Sequence, residues 1–350
     1  MLVVMKHGAT GEQVERVSDA IRDMGYEAEA IPGRQRTAVG VVGNEGRVEA
    51  DHIKTLPGVQ RVIHVSQPYK QVSREWKPDD TVIELSNGAR IGGEGVAVMA
   101  GPCSVESEEQ ILETARRVKA AGATVLRGGA FKPRTSPYSF QGLGEQGLEL
   151  LARAREETGL AVVTEALDPA GVEMVAEHAD IIQIGARSMQ NYSLLRAAGQ
   201  AGLPIFLKRS MSATIRELLL AAEYLLVEGE SRVMLCERGI RGFTDHSRYQ
   251  LDLSMVPTVQ ELSHLPVIVD PAHGTGDRAK VPAMARAAVA AGADGIMVEV
   301  HPEPDRALSD GAQSLTPELF EELMTEVGAI ARAIGRDVVR MGEPAVQASA

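Results

Sequence analysis

Eight short apolar runs, each followed by a loop and then by a stretch with helical periodicity, limit this chain more than any other feature. They fall at 96–100, 124–126, 161–164, 181–184, 205–207, 233–235, 267–269 and 296–298. Runs this short and this continuously apolar suit strands buried on both faces, as in a parallel sheet with crossover helices. Eight such units predict a closed (β/α)8 barrel. An open doubly wound sheet usually has fewer strands and a glycine-rich phosphate loop after the first, which GPCSVE at 101–106 is not.

Ahead of the barrel, residues 1–67 read strand, helix, strand, strand, helix, strand, at 2–6, 13–24, 27–31, 37–42, 48–56 and 59–65. This is the βαββαβ, ferredoxin-like order. Gly33 and Gly43-Asn44 punctuate its strands and Gly58 closes its second helix. The polar stretch 68–80, with two prolines, reads as a linker. Within 81–340, Ser86-Asn87-Gly88 predicts a tight hairpin with positive φ angles supplied by Asn-Gly, plugging the base of the barrel. Ser107, Asp168-Pro169 and Thr316-Pro317 are expected to start helices. The tail 341–350 is expected to be frayed.

Two domains fit 350 residues. With 44% apolar residues but only 3% aromatics, the core must be built from Val, Ile, Leu and Ala. A formal charge of −12 argues against nucleic acid or an anionic membrane as partner. With no membrane-length apolar stretch and no signal-peptide pattern, a cytoplasmic setting is expected. Cys103 and Cys236 make no disulfide framework and read as core, ligand or nucleophile.

Barrels carry their chemistry at the C-terminal ends of the strands. Those positions hold Cys103; Arg127, Lys132 and Arg134; Glu165; Arg187; Lys208 and Arg209; Glu237 and Arg238; Asp270 and His273; and Glu299, with Asp310 in the loop beyond. Cys103, His273, Glu299 and Asp310 offer a thiolate, an imidazole and two carboxylates, a mixture that suits a divalent transition metal better than Mg²⁺ or Ca²⁺. Each alone is more often core, cap or surface; four on one rim favour an ion. Arg127, Lys132, Arg134, Arg187, Lys208 and Arg238 gather six cations at one mouth of an acidic protein. A solvated rim paired with carboxylates is the bland alternative. Small phosphorylated ligands explain the cluster better, since arginine forks match phosphate and carboxylate.

The segments GPCSVES (101–107), LRGGAFKPRTSPYSFQGLG (126–144), VVTEAL (162–167), IIQIGAR (181–187), LCERGIR (235–241), VDPAHGTG (269–276) and VEVHPEP (298–304) resemble the 3-deoxy-D-arabino-heptulosonate 7-phosphate (DAHP) synthases of the short bacterial class (type I beta), which carry an N-terminal ferredoxin-like regulatory domain. The resemblance covers residues 1–340. It implies condensation of phosphoenolpyruvate with erythrose 4-phosphate, the first step of the shikimate pathway. It matches Cys103, His273, Glu299 and Asp310 to the ligands of one divalent ion per subunit, of the Mn²⁺, Fe²⁺, Co²⁺, Zn²⁺ or Cd²⁺ type. Arg127, Lys132, Glu165, the backbone of Ala186, Arg187, Lys208 and Arg238 match the phosphoenolpyruvate site. Pro133, Arg134, Thr135, Ser136 and Asp310 match the erythrose 4-phosphate site. Lys132, Cys103, His273 and Glu165 are the implied catalytic groups, with Lys132 protonating the aldehyde oxygen and either Glu165 or a metal-bound water orienting the attacking water.

The resemblance further implies a homotetramer and feedback by an aromatic amino acid; the sequence is silent on association with a chorismate mutase. One departure is Ala272, where relatives commonly have Ser, so a hydrogen bond to the metal-binding His is expected to be missing. Competing readings are 3-deoxy-D-manno-octulosonate 8-phosphate synthase, whose members read KANRS-like where this chain has 132–136, and a non-catalytic metabolite-sensing barrel.

Overall fold

The computed structural model describes residues 1–32, 36–42, 48–63, 68–134 and 136–342. The chain divides into two compact units, Met1–Pro78 and Asp79–Ala350, a division that falls inside the stretch 68–80.

In the first unit, β1 (Leu2–Met5), β2 (Glu27–Pro32), β3 (Thr37–Val42) and β4 (Val59–Ile63) form an antiparallel sheet in the order β2-β3-β1-β4. The helix Gly11–Asp23 packs Val17 and Ile21 onto Val3, Met5, Val39 and Val41. It starts two residues earlier than its apolar pattern suggests, because Thr10 and Gln13 form a reciprocal capping box. The helix expected over 48–56 shrinks to one turn, Asp51–Lys54. No side chain caps its start, and Pro57 disfavours helix at the residue before it. Glu29 and Ile31 lie within β2 and pair with β3, as the strand expected over 27–31 requires. Gly33 and Gly43-Asn44 lie outside the described residues, as does most of the tail (343–350).

In the second unit, eight parallel strands close on themselves: β7 (Gly95–Gly101), β8 (Val125–Arg127), β9 (Ala161–Ala166), β10 (Ile181–Ile184), β11 (Ile205–Lys208), β12 (Val233–Glu237), β13 (Val267–Val269) and β14 (Gly295–Glu299). Closure is the pairing of β14 with β7, which sets Glu299 opposite Gly101. This is the (β/α)8 barrel. Met99, Val163, Phe206, Met234, Cys236 and Met297 fill its interior, so Cys236 is core. Ser107, Asp168 and Thr316 cap helices through their side chains, accepting from Gln110, Gly171 and Leu319 amides.

A hairpin of β5 (Ile83–Glu84) and β6 (Arg90–Ile91) puts Ile83, Leu85, Ala89 and Ile91 into the same core and seals the N-terminal end. Its turn differs from the expectation. Gly88 has φ 78°, but Asn87 does not adopt positive φ; its Oδ1 accepts from the Ala89 amide and its Nδ2 donates to the Thr124 carbonyl. Three residues therefore turn the chain, with one left-handed glycine at the end. A short strand that the sequence reading missed, β15 (Asp337–Val338), pairs parallel with β7 after the helix Pro317–Ala333. Among the described residues no helix is long and apolar enough to cross a membrane.

Candidate active site

Gly101, with φ 152°, ends β7 against β8, where any Cβ would overlap the Arg127 carbonyl. That close approach brings the turn carrying Cys103 beside Arg127 and Lys132. The Arg127 Nη1 donates to the Pro102 carbonyl at 2.5 Å, and the Lys132 ammonium donates to the Cys103 carbonyl at 2.9 Å. After β13, Asp270 caps the five-residue helix Pro271–Thr275, accepting from the His273 amide at 2.9 Å. Its second oxygen, Oδ2, takes His273 Nδ1 at 2.7 Å and the Lys208 ammonium. Ala272 is fully buried, and the ring of His273 is oriented by Asp270, three residues before it.

Cys103 Sγ and one oxygen each from Glu299 and Asp310 lie within 4.8 Å of one another. The Cys103 thiol is 3.2 Å from Asp310 Oδ2, and His273 Nε2 is 3.5 Å from Glu299 Oε1. The donor chemistry fits a divalent transition metal. A further observation supports the fit: Glu299 Oε1 is buried and has no hydrogen-bond partner among the described residues, although Arg127 Nη1 is 3.2 Å away. A buried carboxylate oxygen left in this state is costly without a cation. Burial, and then Glu299, push the Cys103 thiol up to about 11, so ligation would require a cation able to displace its proton. Burial also opposes ionisation of Asp310, but His273, the Cys103 thiol and Arg248 outweigh it and hold the carboxyl at about 2. Asp310 is the one non-glycine among the described residues with positive φ, at 49°. Such strain persists where the surroundings over-determine it, commonly at functional sites.

Beside this cluster opens a cavity of about 320 Å³. Seven cations line it: Arg127, Lys132, Arg134, Arg187, Lys208, Arg238 and Arg248. The six named from the sequence are all present, as are Pro133, Ser136, Glu165, Ala186, His273 and Asp310. Thr135 lies outside the described residues. Arg187 reaches across to donate to the Pro133 carbonyl at 3.2 Å. Among the described residues, the Arg127 Nε and the Arg238 Nη1 are buried without a hydrogen-bond partner, as expected of donors built for an anion. Glu165 is buried and accepts from Gln183 Nε2 at 3.3 Å.

Sequence reasoning missed Arg248, Tyr249 and Gln313. Arg248 and Tyr249 sit in the long irregular segment after β12, not at a strand end. Two hydrogen bonds between Ile240 and Gln250 close that segment, and the amides of Arg248 and Tyr249 dock it on Thr275 and Gly274. The Tyr249 ring lies 4.4 Å from the Arg238 guanidinium carbon. Behind it, buried Arg209 bridges Glu237 at 2.9 Å and Asp252 at 3.1 Å, and Glu237 accepts from the Gly239 amide at 2.7 Å. Arg209 and Glu237 thus hold the loop that carries Arg238.

Comparison with known proteins agrees with this geometry. The chain is 50% identical over 335 residues to the phospho-2-dehydro-3-deoxyheptonate aldolase of Thermotoga maritima, covering 96% of this chain and 99% of that protein. It is 35% identical to a 2-dehydro-3-deoxyphosphooctonate aldolase of Desulfatibacillum aliphaticivorans, covering 71% of this chain and 97% of that one. The crystal structure of the Thermotoga maritima phospho-2-dehydro-3-deoxyheptonate aldolase (DAHP synthase) matches with a TM-score of 0.78 at 49% identity, over 96% of this chain and 98% of that one. A family model described as the DAHP synthase ferredoxin-like domain matches residues 1–67, and one described as the DAHP synthetase I family matches residues 80–333. The chain therefore belongs to the DAHP synthetase I family, in its form with an N-terminal ferredoxin-like domain.

Proposed function

We propose that this chain is a DAHP synthase, joining phosphoenolpyruvate, D-erythrose 4-phosphate and water into DAHP and inorganic phosphate with the aid of one divalent transition metal. The observation that carries the reading is the juxtaposition of the Cys103, His273, Glu299 and Asp310 donors with a cavity lined by seven cations. The family membership and the 50% identity to the Thermotoga maritima enzyme support it.

In this reading, C3 of phosphoenolpyruvate forms a bond to the aldehyde carbon of the sugar. Water adds at C2, and phosphate leaves by C–O cleavage. Arg127, Arg187, Lys208 and Arg238 fix the phosphate and carboxylate of phosphoenolpyruvate, so positioning and electrostatics are the main contributions of the protein. The donors of Arg127 and Arg238 that lack partners would be satisfied by those oxygens. Arg134, Thr135 and Ser136, with Pro133 beside them, would hold the sugar phosphate. When bound, the metal supplies Lewis-acid polarisation of the aldehyde. Lys132 would hand a proton to the oxygen that becomes an alkoxide, and Glu165 would accept a hydrogen bond from the attacking water. Because Asp270 takes the Nδ1–H of His273, the Nε2 lone pair is left free as a donor.

The same reading includes a cytoplasmic homotetramer whose N-terminal domain binds an aromatic amino-acid effector. Deleting residues 1–67 tests the regulatory part, since inhibition by every aromatic amino acid should then disappear.

The catalytic test is phosphate release from phosphoenolpyruvate by metal-stripped, Mn²⁺-reconstituted protein, with erythrose 4-phosphate or arabinose 5-phosphate and with or without chelator. Chelator-sensitive turnover with the four-carbon sugar is expected. Turnover with the five-carbon sugar alone would move the assignment to the octulosonate enzyme. Absence of turnover with either, in folded and metal-loaded protein, would favour a metabolite-sensing barrel.

A further inference from the structure

The carboxylates of Glu299 and Asp310 each have one oxygen tied down and one left facing the Cys103 thiol and the His273 imidazole. Gln313 makes the first tie, and Arg248, which Gln313 holds, makes the second. The Gln313 Nε2 donates to Glu299 Oε2 at 2.6 Å, and its Oε1 accepts from Arg248 Nη1 at 3.1 Å. The same Arg248 Nη1 lies 3.3 Å from Asp310 Oδ1. The free oxygens are Glu299 Oε1, buried without a hydrogen-bond partner, and Asp310 Oδ2, 3.2 Å from the Cys103 sulfur. Gln313 is itself buried, and its amide closes the 3₁₀ turn by donating to the Asp310 carbonyl at 3.2 Å. One turn of chain therefore carries one proposed ligand, Asp310, and the group that orients the other, Glu299.

Resting on the metal centre proposed above, we propose that Gln313 and Arg248 are positioning residues that force Glu299 and Asp310 to present one oxygen each to the ion. A carboxylate free to rotate can chelate through both oxygens, which suits Ca²⁺ with its six to eight oxygen ligands. Two carboxylates restricted to one oxygen, with a thiolate and an imidazole, leave a low-coordinate site that suits a small transition ion. The brace thus sets selectivity for the ion without touching it. It also explains the chemistry of the bridge: an amide can donate to one carboxylate and accept from an arginine at once, whereas a carboxylate at 313 could only accept and Leu could do neither.

The test uses full-length, metal-stripped protein and measures Co²⁺ and Ca²⁺ binding by calorimetry, together with the visible spectrum of the Co²⁺ form. Gln313→Met, near in volume and unable to form either bond, should weaken Co²⁺ binding by about 10–100-fold, the usual effect of losing such a partner. Ca²⁺ binding should fall less, so the Co²⁺/Ca²⁺ preference narrows. The d–d bands should weaken as coordination number rises, while the thiolate-to-cobalt band persists. Arg248→Met tests the outer end of the brace at a partly exposed position and decides alone if Gln313→Met does not fold. Folded variants with the Co²⁺ affinity, Co²⁺/Ca²⁺ ratio and spectrum of the parent overturn the proposal. Cys103→Ala separates this from failure of the metal centre itself: if that variant also binds Co²⁺ as tightly as the parent, the centre is wrong and not merely its brace.

Discussion

His273 and Lys208 meet on one oxygen: Oδ2 of Asp270 takes the Nδ1–H of the imidazole at 2.7 Å and also the buried ammonium. Asp270 is fully buried, and although burial resists its ionisation, His273 and the Lys208 ammonium keep its carboxyl well below the usual range. One carboxylate thereby couples a proposed metal ligand to a proposed phosphoenolpyruvate contact.

Asp270→Ala should consequently damage both sites. It leaves Lys208 buried without a counter-charge, at a cost of about 3–5 kcal/mol in unfolding free energy. It also frees the His273 ring, weakening metal binding by about 10–100-fold. Urea denaturation and Co²⁺ titration measure the two losses separately. A variant with parental stability would show that Lys208 finds another partner, and one with parental Co²⁺ affinity would remove Asp270 from the metal centre.

Gly185→Ala should act on the other wall. A Cβ at 185 would overlap Oε1 of Glu165, whose other oxygen accepts from Gln183 at 3.3 Å. Glu165 lines the cavity, so its carboxylate would yield by shifting into it. A displacement of about 1 Å at a reacting group can cost about 100-fold in rate. Steady-state kinetics should show kcat falling while Co²⁺ affinity and melting temperature stay near parental values. A parental kcat would mean that the position of Glu165 is not critical.

The barrel and the rim were legible because burial on both faces writes each strand as a run of Val, Ile and Leu, and because functional groups follow those runs directly. Arg127, Glu299 and Asp270 were found in this way. Arg248 and Gln313 were not, since each lies on an irregular segment where no period marks it, and their partners Asp310 and Glu299 come from elsewhere in the chain. The one-turn helix Asp51–Lys54 and the non-positive φ of Asn87 were misread for a related reason. Local propensity favoured more helix and a two-residue turn, whereas an uncapped helix start and the Asn87 bond to the Thr124 carbonyl decided otherwise.

Arg336 closes the end of the barrel opposite the site. Its guanidinium donates to the carbonyls of Gly93, Glu94, Gly95, Gly292 and Ala293 and to Asp294 Oδ1, at 2.8–3.2 Å. These segments lead into β7 and β14, the strands whose pairing closes the barrel. Arg336→Ala should cost about 1.5–3 kcal/mol, the range for hydrogen bonds from a charged donor, with the urea midpoint falling at constant slope. KM values for both substrates should not move. A change in KM with unchanged stability would contradict the purely structural role.

Lys132 separates charge from proton transfer. It is buried, makes no ion pair with a described residue, and donates to the Cys103 carbonyl at 2.9 Å, which aims its ammonium at the metal-side edge of the cavity. Lys132→Met keeps the length and apolar stem of the side chain but loses both the charge and the proton. If Lys132 protonates the nascent alkoxide, kcat should fall by about 10²–10⁴-fold, the usual contribution of a positioned general acid. Metal binding should weaken only modestly, because Lys132 supplies no ligand atom, though its charge does help the Cys103 thiol to ionise. Lys132→Arg is the informative companion. Arginine retains the positive charge but, with a pKa above about 12, gives up a proton poorly. Loss of kcat in both variants is the outcome expected of a proton donor. Recovery by Arg to within about tenfold of the parent would instead assign Lys132 an electrostatic role in holding phosphoenolpyruvate, and the proton would then have to come from solvent or from another group in the cavity.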